Sequence, residues 1–194
     1  MAPMIVRVGK KGIRALGIAE SFRREVGGRA VLAGIVQRSD GVVDGLVLGA
    51  CTVGGMDATD GIMQMWRNLE RDDVNVILLS GCIISWFNIV DLPRVHDETS
   101  TPLICLTYRE SEGLTTVLKR RFPEDWALRN SIYMSNGDRV PIQLKTGFKV
   151  YVRFLGLGES DCRSILDKFI MHGRYPEPIR LAKMVARSVL GFLK

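Results

Sequence analysis

The longest stretch of this chain without a charged side chain is the 17-residue segment 74–90, VNVILLSGCIISWFNIV. A helix needs about 20 apolar residues to span a bilayer, and the polar residues Asn75, Ser80 and Asn88 would be costly in lipid. β-branched residues followed by Ser80-Gly81 are instead typical of a buried strand that ends in a turn. Because such a strand lacks polar alternation, the rest of the chain has to cover it on both faces.

Apolar strands and amphipathic helices alternate along the first part of the 194-residue chain. Strands are predicted at 13–19, 30–37, 46–53, 74–80 and 102–108, and helices are predicted from Asp57, around 92–98, and from Leu114 to Arg121. After Asp57 the apolar residues Ile62, Met65 and Leu69 recur at helical intervals. Three strands in a meander followed by strand–helix units predict a mixed sheet with helices on its faces.

The region after Pro123 is predicted to extend this sheet. Short strands are expected at 131–134, 139–145 and 148–154, and two helices are expected to begin near Glu159 and at Pro176. The length corresponds to about one domain, at roughly 150 residues per domain. We therefore expect residues 1–194 to form a single α/β domain, a mixed sheet flanked by helices with extra C-terminal strands and helices.

The charge of the chain is unevenly distributed. Residues 1–118 contain 12 Lys and Arg against 14 Asp and Glu, whereas residues 119–194 contain 15 against 7. The net charge is therefore −2 in the first segment and +8 in the second, which gives +6 for the chain. A basic half and a pI near 9.4 indicate a polyanionic partner, and an ordinary basic surface explains the charge equally well.

The cysteine and histidine content argues against a zinc site. The four Cys are widely spaced without a Cys-x-x-Cys pair, and only two His are present. Most of these Cys lie in apolar runs, where a reduced Cys behaves as a small hydrophobic residue. The N-terminal residues MAPMIVRVGKKG lack the apolar region of a signal peptide. We expect a soluble, cytoplasmic protein without membrane association.

The predicted element order is that of the ribonuclease H-like fold, in which acidic residues from the first strand, first helix and fourth strand converge on divalent metal ions. Five segments also resemble an archaeal family that is related to endonuclease V and called endonuclease dU. They are LGIAESF (16–22), TVGGMDAT (52–59), VILLSGCIISWFNIVD (76–91), TPLICL (101–106) and PEPIRLAKMVA (176–186). The resemblance covers nearly the whole chain. It implies a ribonuclease H-like core and metal-dependent cleavage of nucleic acid near deaminated bases, an activity of DNA repair.

The chain departs from the family pattern at three acidic positions. The resemblance implies an Asp where this chain has Ala19, another where it has Gly54, and a third where it has Ser80. Glu20 lies one residue after Ala19, and a shift of one residue points a side chain to the opposite face of a strand. A Ser hydroxyl is a neutral and weak ligand for magnesium.

The candidate catalytic residues that remain are Asp57, Glu20 and Asp91, and the candidate metal ligands are Asp57 and Glu20. Asp57 and Asp91 each precede a predicted helix, so N-capping is the alternative role for both. A two-metal site needs several converging carboxylates. The chain is therefore expected either to bind Mg²⁺ or Mn²⁺ at a weakened site or to bind no metal.

The candidate nucleic-acid-binding residues are Arg23, Arg24 and Arg109. They follow strands whose carboxyl ends should lie near the site, where a guanidinium can contact phosphate. Phe22 or Tyr108 could stack on a base. We expect Trp86 in the core and the basic residues 119–121 on a solvated helix face.

Two functions are consistent with these residues. The first is a Mg²⁺- or Mn²⁺-dependent endonuclease that uses the surviving acids. The alternative is a non-catalytic nucleic-acid-binding protein on the same scaffold, and the partner in both is DNA or RNA. A third function, as a structural partner of another protein, has no positive evidence in the sequence.

Overall fold

The carboxyl ends of three parallel strands meet at one edge of a seven-stranded sheet in the computed structural model, which describes residues 12–110 and 113–193. The strands are β1 (Arg14–Ser21), β2 (Arg29–Arg38), β3 (Val43–Thr52), β4 (Val76–Leu79), β5 (Ile83–Ile84), β6 (Asn88–Ile89), β7 (Leu103–Thr107), β8 (Val140–Gln143) and β9 (Lys149–Leu155). The helices are α1 (Ala58–Leu69), α2 (Leu92–Thr99), α3 (Thr115–Arg121), α4 (Trp126–Ser135), α5 (Glu159–Phe169) and α6 (Glu177–Phe192). Within these ranges, no helix combines the length and the apolar character needed to cross a membrane.

The strand order of the sheet is β3-β2-β1-β4-β7-β9-β8. β1, β4 and β7 run parallel, and the other neighbouring pairs are antiparallel. Ala15 lies opposite Val76, and Ile18 lies opposite Leu79. The prediction that 13–19 and 76–80 form neighbouring parallel strands inside the sheet is therefore confirmed.

The two faces of the sheet contact different cores. Leu16 and Ile18 of β1 pack on the side of α1, in a cluster that includes Met65. Ala15 and Ala19 point the other way, into the cluster formed with α5 and α6. Burial on both faces explains why β1 and β4 have no polar alternation.

The structure differs from the predicted elements in two places. Residues 131–134, predicted as a strand, belong to helix α4, because Arg129 on that helix donates hydrogen bonds to the carbonyls of Gly54, Gly55 and Phe87. This tertiary contact outweighs the local preference of the β-branched and aromatic residues for a strand. The second difference is the β5–β6 hairpin within the uncharged segment, where only a turn was expected.

The close packing of α6 on β1 can be tested at Gly17. A Cβ atom at this position would lie 2.4 Å from the carbonyl carbon of Pro178 and 2.6 Å from the nitrogen of Ile179. Gly17→Ala is therefore expected to displace the first turn of α6 and to lower the free energy of unfolding by about 1–3 kcal/mol. Thermal melting measures the loss. The control is Gly191→Ala, near the end of α6, where the added methyl group meets open space. Equal melting temperatures for the two variants would contradict the prediction.

Candidate functional site

The candidate site lies where β1, β4 and β7 end, since open α/β sheets usually bind ligands beyond the carboxyl ends of their strands. The amide of Ser80 donates to the carbonyl of Ile18 at 3.1 Å, so the β1–β4 ladder continues to Ser80. Ala19 and Ser80 are thus neighbours, one position beyond the pair of Ile18 and Leu79. Both side chains are neutral at the two positions where the family resemblance implied acids.

Glu20 lies on the opposite face of β1 from Ala19. Ala19 belongs to the cluster on the α6 side, whereas Ile18 and, by alternation, Glu20 point to the α1 side. The Glu20 carboxylate is 3.4 Å from the Nζ atom of Lys183, and its side chain is largely buried. The charge of Glu20 is therefore already balanced by a lysine of α6, and its orientation away from the Ala19 side chain stays a prediction from strand alternation.

Asp57 occupies the position before α1, but its carboxylate does not cap that helix. Its Oδ1 atom accepts hydrogen bonds from the Thr52 amide at 2.9 Å and from the Asn88 side chain at 2.7 Å. Its Oδ2 atom accepts from the Thr52 hydroxyl at 2.7 Å. Burial raises the pKa of this carboxyl, but the hydrogen bonds from Thr52 and Asn88 outweigh burial and lower it overall. Asp57 is a fixed anion that joins the end of β3 to β6.

Asp91 is the N-cap of α2, which is the alternative role that the sequence allowed. Its side chain accepts a hydrogen bond from the Arg94 amide at 3.0 Å and caps α2. Its own amide donates to the Thr59 hydroxyl of α1 at 3.0 Å. The carboxylate is therefore engaged with its own helix.

The surviving acids do not form a family-type metal centre. Both oxygens of Asp57 are occupied by protein donors, and Glu20 is paired with Lys183. In the part of the chain that the structure describes, no three His, Cys, Asp or Glu residues are grouped so that they could hold a metal ion. Hard cations such as Mg²⁺ need several converging anionic oxygens, so these residues do not fit the ion that the resemblance implies.

The turn between β5 and β6 has an unusual backbone. Ser85, Trp86 and Phe87 have φ angles of 43°, 63° and 63°, values that L residues rarely adopt. The Ser85 carbonyl accepts from the Gly54 amide at 2.8 Å, and the Phe87 carbonyl accepts from the Arg129 guanidinium at 2.8 Å. Strained turns held by their surroundings cluster at functional sites.

Trp86, expected in the core, lies instead at the rim of the apolar cluster on the α1 side. The guanidinium groups of Arg24 and Arg121 lie 5.4 Å and 5.2 Å from the centre of its ring. The strained turn therefore presents a half-buried indole with two cations close to its ring. Arg23, the neighbour of Arg24, donates to the Leu190 carbonyl at 3.4 Å.

Arg109 lines a cavity of about 440 Å³ beyond the ends of β4 and β7. We call this pocket the arginine cavity, because its lining includes Arg109, Arg139, Arg153 and Arg174 and, among the residues that the structure describes, contains no Asp or Glu. Three tyrosines, Tyr108, Tyr133 and Tyr175, also line it. Of these arginines and tyrosines, only Arg109 and Tyr108 were candidates from the sequence. The other members lie on separate elements after Pro123, and their only signal was the basic charge of residues 119–194.

Cys82 and Arg153 meet at the wall of the arginine cavity. The guanidinium donates to the Cys82 sulfur at 3.5 Å, and both residues are buried. A hydrogen bond with Cys105 and the positive charge of Arg153 lower the pKa of the Cys82 thiol, against the opposing effect of burial. By contrast, burial raises the pKa of Cys51, which contacts the Ser85 hydroxyl, to about 11. The charge of Arg153 therefore contributes to the lowered pKa of Cys82, after the hydrogen bond with Cys105, and no cation of the described residues acts in this way on Cys51.

Several known proteins are similar to this chain in sequence or in architecture. A family model described as endonuclease dU matches residues 11–190. The UPF0215 protein of Pyrobaculum calidifontis is 34% identical over 178 residues, covering 92% of this chain and 97% of that protein. A protein of unknown function from Archaeoglobus fulgidus superposes with a TM-score of 0.77 at 24% identity, covering 93% of this chain and 98% of that one. Endonuclease V of Ciona intestinalis, solved with a DNA containing an inosine followed by a ribo-adenosine, superposes with a TM-score of 0.62 at 15% identity, covering 95% and 88%. The fold is thus ribonuclease H-like and of the endonuclease V type.

The Asp57 network predicts a pH-dependent contribution to stability. A carboxyl with a lowered pKa stabilises the folded state above its unfolded pKa of about 3.9, and that contribution is lost as the pH falls through the folded pKa. Asp57→Asn should lower the free energy of unfolding at pH 7 by about 1–3 kcal/mol, because its amide opposes the amide of Asn88. The difference from the natural protein should shrink below about pH 4.

Denaturant unfolding between pH 7 and pH 3 measures this effect. The control is Asp60→Asn, in the first turn of the same helix, whose side chain is 63% exposed and pairs with Arg94. Its effect should stay within about 0.5 kcal/mol. A difference for Asp57→Asn that is the same at both ends of the pH range would argue against the network.

Proposed function

This chain belongs to the endonuclease dU family, and from that premise we propose that it binds nucleic acid at the carboxyl edge of its sheet and has a degraded metal site. Family and fold similarity support an endonuclease-like scaffold for nucleic acid. The proposal goes further in assigning binding rather than efficient cleavage to this member.

The observation that carries the proposal is the charge of the carboxyl edge. Cations surround it, with Arg24 and Arg121 beside the indole of Trp86 and with Arg109 at the end of β7. Phosphate contacts by Arg supply most of the sequence-independent affinity for nucleic acid. An aromatic ring next to a cation adds a stacking surface for a base. These groups suit a strand of DNA or RNA that crosses the edge near Ala19 and Ser80.

The residues at the same edge of the sheet also support a degraded metal site. Ala19 and Ser80 are neutral neighbours, Glu20 is on the other face of β1, and Asp57 is saturated with hydrogen bonds. We infer that Mg²⁺ binds in the millimolar range or more weakly, since too few anionic oxygens converge. Metal-dependent cleavage through Asp57, Glu20 and Asp91 is the competing function. It would require Asp57 and Glu20 to leave their present partners and Asp91 to uncap α2.

Nucleic-acid binding can be tested with arginine variants of the edge. Arg109→Ala and Arg24→Ala should each weaken binding of a single-stranded oligonucleotide several-fold at low salt, because each loses a charge-assisted phosphate contact. Fluorescence anisotropy with DNA and RNA, at about 50 mM and about 200 mM salt, measures the affinity and its salt dependence. Arg67→Ala is the matched control, because Arg67 lies in the last turn of α1 at the opposite edge of the sheet. Affinities that are unchanged at both salt concentrations would remove these arginines from the interface.

The degraded site can be tested by restoring the two acids. The double variant Ala19→Asp with Ser80→Asp creates two facing carboxylates on adjacent strands. Without metal they should repel each other, which lowers the melting temperature and raises the pKa of one of them. Mn²⁺ should then restore stability by binding the folded state preferentially.

Melting temperatures with and without Mn²⁺ are compared for the natural protein and the double variant, together with cleavage of the bound oligonucleotide. We expect a metal-dependent rise in melting temperature only for the variant. An equal rise for both proteins, or Mn²⁺-dependent cleavage by the natural protein, would show that its metal site is intact.

A further inference from the structure

Arg153 is a buried cation with no Asp or Glu partner among the residues that the structure describes. It is 6% exposed. Its Nε atom donates to the carbonyl of Gly137 at 2.7 Å, and its Nη1 atom donates to the sulfur of Cys82 at 3.5 Å. The remaining N–H groups of the guanidinium have no protein acceptor in the described chain. A buried charge is costly unless an opposite charge or several hydrogen bonds compensate it. Arg153 therefore offers donors and a positive charge to an anion in the arginine cavity.

Two further arginines of the cavity strengthen this positive charge. Arg109 forms no ion pair within residues 12–110 and 113–193. Nη1 of Arg174 donates to the Tyr108 carbonyl at 3.1 Å, and the guanidinium lies 5.6 Å from the centre of the Tyr175 ring. Among the described residues of the lining, no carboxylate neutralises Arg109 or Arg174. Like charges gathered around one space repel each other, and an anion bound between them removes that repulsion.

Tyr108 supplies an independent indication of a ligand. Its hydroxyl is buried and has no hydrogen-bond partner in the part of the chain that the structure describes. Burial raises the pKa of this phenol, so the hydroxyl stays protonated and can donate. Buried hydroxyl groups in folded proteins nearly always have a partner. Because Tyr108 lines the arginine cavity, this unpaired donor belongs to a residue of the cavity wall.

We propose that the arginine cavity binds the phosphomonoester group of a nucleotide, either at the end of a nucleic-acid strand or as a free nucleoside monophosphate. The first of these sources rests on the proposed function, because it assumes that a strand crosses the neighbouring edge at Ser80. The second source does not. The shared chemistry is a terminal phosphate on a nucleoside.

The chemistry of the cavity favours a monoester over an internal diester. A phosphate monoester carries a charge near −2 at neutral pH and presents three terminal oxygens, whereas an internal diester carries a single negative charge. The guanidinium groups of Arg109, Arg153 and Arg174, with no Asp or Glu among the described residues of the lining, match the higher charge and the larger number of acceptors. A volume of about 440 Å³ is in the range of small-ligand pockets, and Tyr133 and Tyr175 offer ring surfaces for the nucleoside.

The experiment measures the binding of four probes to the full chain. These are one oligonucleotide with a 5′-phosphate, with a 3′-phosphate and with neither, and a nucleoside monophosphate used as competitor. The variants are Arg153→Gln and Arg174→Gln, with Arg67→Gln as the control that removes one positive charge at the opposite edge. Melting temperatures establish that each variant is folded. Because Arg174 is only half-buried, we expect Arg174→Gln to fold, so this variant tests the cavity even if Arg153→Gln does not fold.

We expect one of the two phosphorylated oligonucleotides to bind about tenfold more tightly than the unphosphorylated one. This ratio of affinities should fall toward one in Arg153→Gln and Arg174→Gln and should persist in Arg67→Gln. Displacement by the monophosphate without preference for a phosphorylated end also supports the proposal and identifies the free nucleotide as the source. Equal binding of all three oligonucleotides with no displacement would overturn the cavity proposal and leave the proposed function intact. Binding of the monophosphate with no binding of any oligonucleotide would support the cavity and overturn the proposed function.

Discussion

The parallel pairing of β1 with β4 is the constraint on which the rest of the molecule depends. Both strands are buried on both faces, so a slip of one residue in either would exchange every side chain between the two cores. The register is therefore fixed, and with it the juxtaposition of Ala19 and Ser80 at the carboxyl edge. Gly17 adds to this constraint, because only a residue without a Cβ lets the start of α6 pack this closely on β1.

The C-terminal part of the chain uses this fixed edge to build a positively charged pocket. β9 runs antiparallel to β7 and brings Arg153 opposite Cys105, within hydrogen-bonding reach of Cys82. Arg174 arrives from the connection before α6 and contacts the end of β7 through the Tyr108 carbonyl. The positive charge of residues 119–194 is thus partly concentrated in one cavity, although in the sequence it resembles an ordinary basic surface.

Local patterns in the sequence predicted the strands of the seven-stranded sheet and most of the helices, because their apolar spacing reflects burial directly. The end of a predicted strand also placed Arg109 at the carboxyl edge, because Arg109 closely follows β7 in the chain. The turn at Ser85, Trp86 and Phe87 could not be predicted, because its positive φ angles occur without the Gly or Asn that usually mark them. Arg153 was missed for a related reason. Within the alternating strand it reads as a solvent-facing residue, and only the packing of α4 and β7 around it makes it a buried cation.

The missing acids and the gathered arginines have the same electrostatic consequence. A divalent cation at the carboxyl edge would meet one carboxylate that accepts hydrogen bonds from Thr52 and Asn88, another paired with Lys183, and the guanidinium groups of the adjacent arginine cavity. Each positive charge nearby disfavours a cation and favours an anion by the same Coulomb interaction. An edge of this kind is suited to direct contact between arginine and phosphate. The proposed degraded metal site is therefore compatible with the proposed binding of nucleic acid, because the phosphate charge that a metal would balance can be balanced by arginine side chains of this chain.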